Sequence, residues 1–298
     1  MSEETEFRCG LVALVGRPNV GKSTLLNRLI GQKLAIVSRK PQTTRHKILG
    51  IHHRDDAQIV YVDTPGIHAK TPRQMNRYLN RAAQEALEDV DVVVFVVEGL
   101  RWSEDDELVL SKLRQVKAPI ILAVNKVDEL TDKEKLLPHL QTLAQKADFA
   151  AIVPISARKG TNADALEAEI AQRLPQSPPM FPEDQFTDRS ARFLAAELVR
   201  EQLMRALGAE VPYATTVEIE QFEETDGLDR IAAVIWVERP GQKAIVIGRQ
   251  GQLLKRIGQA ARLEMEKMFG CRVYLQLWVK VREGWSDDEK ALRSLGYE

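Results

Sequence analysis

The sequence predicts two domains: a mostly parallel α/β sheet with helices on both faces, then a smaller α+β unit. Three observations predict this. Through residues 1–175, short Val/Ile-rich runs alternate with stretches of helical period, and continuous apolar runs suit strands buried on both faces. Gly16-Arg17-Pro18-Asn19-Val20-Gly21-Lys22-Ser23 lies between the first apolar run and the first helical stretch and fits G-x-x-x-x-G-K-[S/T]. Four prolines in residues 174–182 then end the alternation, and a different order of elements follows.

In chain order, the apolar runs predict strands at 11–15, 34–38, 48–52, 59–63, 92–97, 120–125 and 152–155. Helical spacing predicts helices at 21–30, 75–87, 104–115, 132–146 and 162–173. The Pro-rich stretch is stiff and cannot continue a helix, so the expected boundaries are 1–175 for the first domain, 176–187 for a linker and 188–298 for the second. In the second domain, Leu194/Leu198 and Val199/Leu203/Leu207 stand four apart in a helix at 188–207, with Thr187 or Asp188 as its cap. Strands at 213–222 and 230–238 flank an Asp226-Gly227 turn. A helix reaching about residue 269 carries Leu254, Ile257, Ala261, Met265 and Met268 on one face and Lys255, Gln259 and Arg262 on another. A strand at 273–282 alternates, with Val273, Leu275, Leu277, Val279 and Val281 on one side. A last helix is expected at 285–297, capped by Ser286 or Asp287.

Composition excludes several classes. Of 298 residues, 44% are hydrophobic and 29% charged, and the net charge is −1, so overall charge does not announce a polyanion ligand. Cys9 and Cys271 are the only cysteines, which gives no disulfide framework, no disulfide-linked partner and no zinc spacing, and suits a reducing cytoplasm. The acidic start of the chain lacks the apolar segment of a secretion signal, and no run approaches the 18 apolar residues of a membrane span.

The glycine-rich segment has the chemistry of a phosphate cradle. Gly16 and Gly21 permit a tight turn whose N–H groups point inward, and the following helix adds partial positive charge. Lys22 is expected at the β- and γ-phosphates and Ser23 on Mg²⁺. Asp63-Thr64-Pro65-Gly66 ends a strand: the carboxylate can hold Mg²⁺ through water, and Gly66 lets an N–H approach the γ-phosphate. Asn125-Lys126-Val127-Asp128 ends another. Asp128 can accept two hydrogen bonds from the edge of guanine, where adenine offers neither donor; Lys126 can lie along the base and Asn125 can tie the loop to the phosphate cradle. Ser156-Ala157 ends a third strand, where backbone N–H groups can meet a base oxygen. In residues 39–45, Thr43 and Thr44 are both candidates to complete the Mg²⁺ shell, and Thr44 is preferred. Lys22, Thr44 and Gly66 are the expected catalytic groups.

These motifs, in this order and in the forms GRPNVGKS, QTTR, DTPG and NKVD, resemble the Era family of ribosome-assembly GTPases, within the translation-factor class. The resemblance continues past the linker. Gly248-Arg249-Gln250-Gly251 between two helical segments, in the order helix, strand, strand, helix, loop, helix, strand, resembles the prokaryotic-type KH fold, whose GXXG loop clamps RNA backbone. Charge supports it independently: residues 239–282 hold ten Lys/Arg and two Asp/Glu, whereas 183–238 hold five and thirteen. Ile247, Gly248, Arg249, Gln250, Gly251, Lys255 and Arg256 are the expected RNA contacts.

The resemblance implies an α/β P-loop GTPase domain followed by a KH domain. It further implies Mg²⁺-dependent GTP hydrolysis coupled to single-stranded RNA near the 3′ end of small-subunit ribosomal RNA, 30S assembly, and peripheral association with the inner membrane. Ras-like GTPases place a water-orienting Gln where this chain has Ile67, so slow intrinsic hydrolysis is expected. The resemblance also implies K⁺ bound by Asn19. Other classes are an ATP-dependent P-loop enzyme, against which Asp128 argues, a GTPase whose second domain docks protein, and one acting in tRNA modification.

Overall fold

The computed structural model describes residues 7–38, 40, 43–66, 74–208 and 210–294. They form two compact units. One comprises Met1–Ala35, Thr44–Thr71 and Leu79–Asp188; the other comprises Ile36–Thr43, Pro72–Tyr78 and Arg189–Glu298.

The first unit is built on a six-stranded sheet. Its strands are β1 (Arg8–Val15), β2 (Ile48–His53), β3 (Ala57–Asp63), β4 (Val92–Glu98), β5 (Ile120–Asn125) and β6 (Ala151–Pro154). They lie in the order β2-β3-β1-β4-β5-β6. β2 is antiparallel to β3, and the other pairings are parallel. The Val/Ile runs sit where the sequence puts them: Val92 to Val97 are all buried, as two-faced burial requires. Helices α1 (Lys22–Ile30), α2 (Gln74–Glu85), α3 (Glu104–Leu113) and α4 (Leu136–Ala144) lie in the crossovers, and α5 (Ala163–Ala171) follows β6. On one face Ala83, Val109, Leu110, Leu113 and Leu143 pack against Val93, Phe95, Val97 and Leu122.

Two expected elements differ. Residues 34–38 form no strand. Leu34, Ala35 and Ile36 are buried, but the Asn27 amide takes their backbone: Oδ1 accepts from the N–H of Leu34 and of Ala35, each at 2.8 Å, and Nδ2 donates to Ala35 O at 2.7 Å. A side chain supplies the bonds a neighbouring strand would give. The helix expected from residue 132 begins at Leu136, because Asp132 accepts the Glu134 N–H at 3.2 Å in a local turn.

The Pro-rich stretch forms no helix, as its prolines require, and residues 175–186 are bonded to the rest of the first unit. Cys9 N–H donates to Pro175 O (3.1 Å), Ser177 N–H to Phe7 O (3.2 Å), and Ile51 N–H on edge strand β2 to Phe186 O (3.0 Å). Covering that edge removes a row of open donors and acceptors. Gln58, fully buried on β3, is the central clamp. Its Oε1 accepts from the N–H of Met180 (2.7 Å) and Phe181 (3.0 Å), and its Nε2 donates to Phe181 O (2.7 Å). The first compact unit runs to Asp188.

The second unit has a three-stranded sheet, β7 (Thr215–Thr225), β8 (Leu228–Val237) and β9 (Arg272–Val281), with β7 and β8 antiparallel and β8 and β9 parallel. α6 (Ala191–Ala206) and α8 (Gln252–Phe269) pack on one face. Leu198, Val199, Leu203, Ile231, Ala233, Ile235, Ile257, Ala261 and Met265 are buried together there. A shorter α7 (Pro240–Ile247) precedes α8. Ser190 caps α6, accepting the Phe193 N–H at 3.3 Å. The expected caps are occupied elsewhere: the Thr187 hydroxyl donates to Leu49 O (2.7 Å), and Asp188 accepts from Leu49 N–H (3.2 Å). The last helix, α9, is Glu289–Ser294, and Asp288 rather than Ser286 or Asp287 caps it, accepting the Lys290 N–H at 2.9 Å. Among the described residues no helix is long and apolar enough to cross a membrane.

Gln58→Ala is expected to take the acceptor from the N–H groups of Met180 and Phe181 and open a small cavity, lowering stability by about 1–3 kcal/mol. Urea unfolding measures the loss, and native-state proteolysis should cut within 176–187 faster than in the parent chain.

Candidate functional site

The parallel strands end side by side, and the motif residues of the first unit are carried on those ends. β1 delivers the loop 16–23, β3 delivers Asp63, β5 delivers Asn125, and β6 leads to Ser156. In the loop, Gly21 has φ +106, and a Cβ there would stand 2.3 Å from Asn125 Nδ2. Only glycine admits both the conformation and the approach. Asn125 is buried and holds two loops at once: Nδ2 donates to Val20 O (2.7 Å), and Oδ1 accepts the Ala157 N–H (2.9 Å). Pro18 lies beside Gly66, and Asn19 stands exposed at the crest of the loop with φ +64.

Lys22 is folded back on its own loop, its ammonium donating to Gly16 O (2.9 Å) and Arg17 O (3.1 Å). Burial lowers its pKa to about 8; Asp63 opposes the shift and Arg17 adds to it. A polyphosphate is the anion such a buried cation would take up.

Ser23, Thr44 and Asp63 converge. Ser23 Oγ is 2.8 Å from Thr44 Oγ1 and donates to Asp63 Oδ2 at 2.9 Å, and Thr44 Oγ1 donates to the same oxygen at 3.3 Å. Burial raises the Asp63 pKa, against the pull of Lys22, the two hydroxyls and the Thr64 N–H. Asp63 Oδ1 is buried with no hydrogen-bond partner among the described residues. Two hydroxyls and a carboxylate with one unsatisfied buried oxygen form a hard-oxygen donor set that fits Mg²⁺. Thr43 points elsewhere, its hydroxyl donating to Lys40 O at 2.6 Å. Thr64 is pinned to β1 through Leu14 O (3.0 Å).

Asp128 is half-buried in a short 3₁₀ turn, Val127–Glu129, after Lys126, whose φ is +66. The N–H groups of Ser156 and Ala157, expected to face a base oxygen, are both engaged here, by Thr161 O (3.0 Å) and Asn125 Oδ1 (2.9 Å). They brace the loop, and Arg28 adds to the brace by donating to Ala157 O (3.3 Å) and Arg158 O (2.7 Å). Ile67 lies outside the described residues, as do Arg39, Pro41 and Gln42.

Sequence reasoning missed Glu98 and Asp106. Glu98 ends β4 on the same sheet edge as Asp63 and Asn125. A carboxylate at the end of a central parallel strand was the available signal. Burial pushes its pKa up, but bonds from Lys126 and Arg17 outweigh that and hold it below the usual carboxylate range.

In the second unit α7 ends at Gly248, whose N–H donates to Ala244 O (2.9 Å) and whose φ is +72. A Cβ there would stand 2.6 Å from Leu253 Cβ. Gln250, at φ +49, and Gly251, at φ +75, complete a sharp turn into α8. Arg249, Gln250, Lys255 and Arg256 are exposed around that helix start, and Ile247 is half-buried. Backbone without side chains, four exposed polar groups and a helix N-terminus make a surface suited to phosphates.

Fold and site define a P-loop GTPase domain joined to a KH domain. The family pattern described as "50S ribosome-binding GTPase" matches residues 11–126, and a KH-domain pattern matches 210–286. GTPase Era of Azotobacter vinelandii is 61% identical over 297 residues, covering 100% of this chain and 99% of its own. GTPase Era of Ectopseudomonas mendocina is equally similar, at 61% over 297 residues. Among solved structures, Era in complex with MgGDPNP and nucleotides 1506–1542 of 16S ribosomal RNA is 40% identical, with a TM-score of 0.94 over 98% of this chain and 99% of that one. An Era variant of Aquifex aeolicus bound to GDP.AlF4⁻ gives a TM-score of 0.93 at the same identity and coverage. The chain belongs to the Era family of GTPases.

Asn125→Ala is expected to release both loops from each other and weaken GDP and GTP binding by about ten- to a hundredfold. Titration with a fluorescent guanine nucleotide reads the change.

Proposed function

We propose that the chain is a Mg²⁺-dependent GTP hydrolase whose nucleotide state governs binding of single-stranded ribosomal RNA near the 3′ end of the small subunit, in 30S assembly. The observation that carries this is the meeting of Ser23 and Thr44 on one oxygen of the Asp63 carboxylate whose other oxygen is unsatisfied, in a chain that also holds an exposed GXXG turn. When bound, Mg²⁺ would supply positive charge to the β- and γ-phosphates, held by Ser23 and Thr44 and through Asp63. Lys22 and the N–H groups of the loop would take the phosphates. Asp128 would read the guanine edge, with Lys126 along the base. Gly66 would bring an N–H to the γ-phosphate.

The coupling is supported by the chain itself. Thr44 belongs to the first unit, and its neighbour Thr43 belongs to the second. Within that second unit the Lys40 amine donates to Met204 O and Leu207 O at the end of α6, and Glu201 accepts the Val37 N–H at 3.0 Å. Loss of the γ-phosphate would free Thr44, and the strain would pass through the peptide bond to a segment fixed on α6. RNA must then change nucleotide affinity in turn. The solved Era holding both MgGDPNP and 16S ribosomal RNA supports RNA as the ligand. The family resemblance further supports a cytoplasmic protein with peripheral inner-membrane contact, and K⁺ at Asn19.

Three outcomes are expected. Asp128→Asn should shift preference from GTP towards XTP, read by competition with ATP included; unchanged GTP preference would refute the guanine assignment. Arg249→Asp with Gln250→Asp should weaken binding to single-stranded RNA and reduce the slope of log K against log salt by about 1–2; an unmoved slope would argue for a protein partner instead. Turnover should be slow and faster in K⁺ than in Na⁺, and Asn19→Ala should abolish that difference.

A further inference from the structure

Glu98 bridges two loops that have different jobs. Its backbone pairs in register with Asn125, so the ends of β4 and β5 lie side by side. Its carboxylate is divided between two cations. Oε2 accepts from Arg17 Nη2 at 2.6 Å, and Oε1 accepts from Lys126 Nζ at 2.9 Å. Arg17 is the second residue of the phosphate loop, and Lys126 is the second residue of the base loop. The three side chains are 12%, 26% and 27% exposed for Arg17, Glu98 and Lys126, so the bonds are only partly screened by water.

A second carboxylate steadies the first cation. Asp106 is fully buried in the first turn of α3 and accepts from Arg17 Nε at 3.2 Å. The same Oδ2 accepts from Ser103 N–H (2.9 Å) and Ser103 Oγ (2.7 Å), which locks the rotamer. The Arg17 guanidinium is therefore held from two sides, by the end of β4 and by the start of α3. Lys126 has a left-handed backbone at φ +66, and its ammonium is held by Glu98 Oε1.

We propose that Glu98, backed by Asp106, is a positioning residue of the nucleotide site, one that fixes the phosphate loop and the base loop relative to each other before ligand arrives. The inference rests on the guanine-nucleotide reading above. Its physical content is preorganisation: the two loops meet opposite ends of the same molecule, so a rigid link between them lowers the ordering cost of binding. The link acts on ground and transition states alike. Its loss should appear in KM and in affinity, and only weakly in kcat.

The test uses the full chain with Mg²⁺, titrated with GDP and with a non-hydrolysable GTP analogue. Glu98→Ala should weaken both by about ten- to a hundredfold, as expected for two charge-assisted bonds, and raise KM similarly while kcat falls less than threefold. Glu98→Gln keeps the shape and one acceptor oxygen, and should fall between. The decisive readout is a double-mutant cycle. Arg17→Ala and Lys126→Ala should be non-additive in GDP affinity when Glu98 is present, and additive in the Glu98→Ala background. A merely structural glutamate would lower the melting temperature without that pattern. Normal binding by the parent chain with unmoved affinity in Glu98→Ala, or additivity in both backgrounds, overturns this inference alone. Absence of guanine-nucleotide binding by the parent chain overturns it together with the reading beneath it.

Discussion

One amide orders the nucleotide site. The Asn125 side chain ties the phosphate loop through Val20 and the 156–157 loop through Ala157. It also occupies the space in which any side chain at position 21 would have to sit. The glycine is thus fixed by a residue more than one hundred positions later, and the loop's open shape follows from that packing. With Asn125 placed by β5, the other groups fall into reach because neighbouring parallel strands end together. The cost of gathering buried polar groups is met by cross-bonding: Ser23, Thr44 and Asp63 satisfy one another, and Lys22 satisfies its own loop carbonyls. Asp63 Oδ1 is left without a partner among the described residues, where a cation fits.

What the sequence made legible was periodic or local. Val92 to Val97 could only be a doubly buried strand, and the stripe on α8 and the alternation on β9 follow spacing alone. The phosphate loop is legible because its chemistry is contiguous. What stayed hidden depends on partners distant in sequence. Residues 34–38 read as a strand because they are apolar, yet Asn27 on α1 had already claimed their backbone. Thr187 and Asp188 read as caps, but β2 uses both, and Ser190 does the capping. Glu98 falls just past the expected strand at 92–97, and only the register that sets it beside Asn125 reveals two cations on its oxygens. The same limit governed the Pro-rich stretch: composition excludes a helix there, whereas its attachment needs the buried Gln58, which no local pattern marks.

A chain of net charge −1 offers no overall attraction to polyanions, and it has no need of one. Both of the turns proposed to take phosphates are built from backbone. α1 is entered through Gly21 at φ +106 and α8 through Gly251 at φ +75, so in each case a left-handed glycine turns the chain into a helix start whose N–H groups face outward. The difference lies in the cations added. Lys22 is buried and depressed in pKa, so it answers a ligand that displaces water completely. Arg249, Lys255 and Arg256 are exposed, and their pull is limited to roughly the screening distance of about 8 Å at physiological salt. The first arrangement suits a small, fully enclosed polyphosphate. The second suits a long strand that must bind and let go, and it keeps its charge local by setting an acidic stretch, 183–238, against the basic one, 239–282. On the proposed function, two grades of burial applied to one backbone device would separate a tight small-molecule site from a releasable polymer site within a single chain of net charge −1.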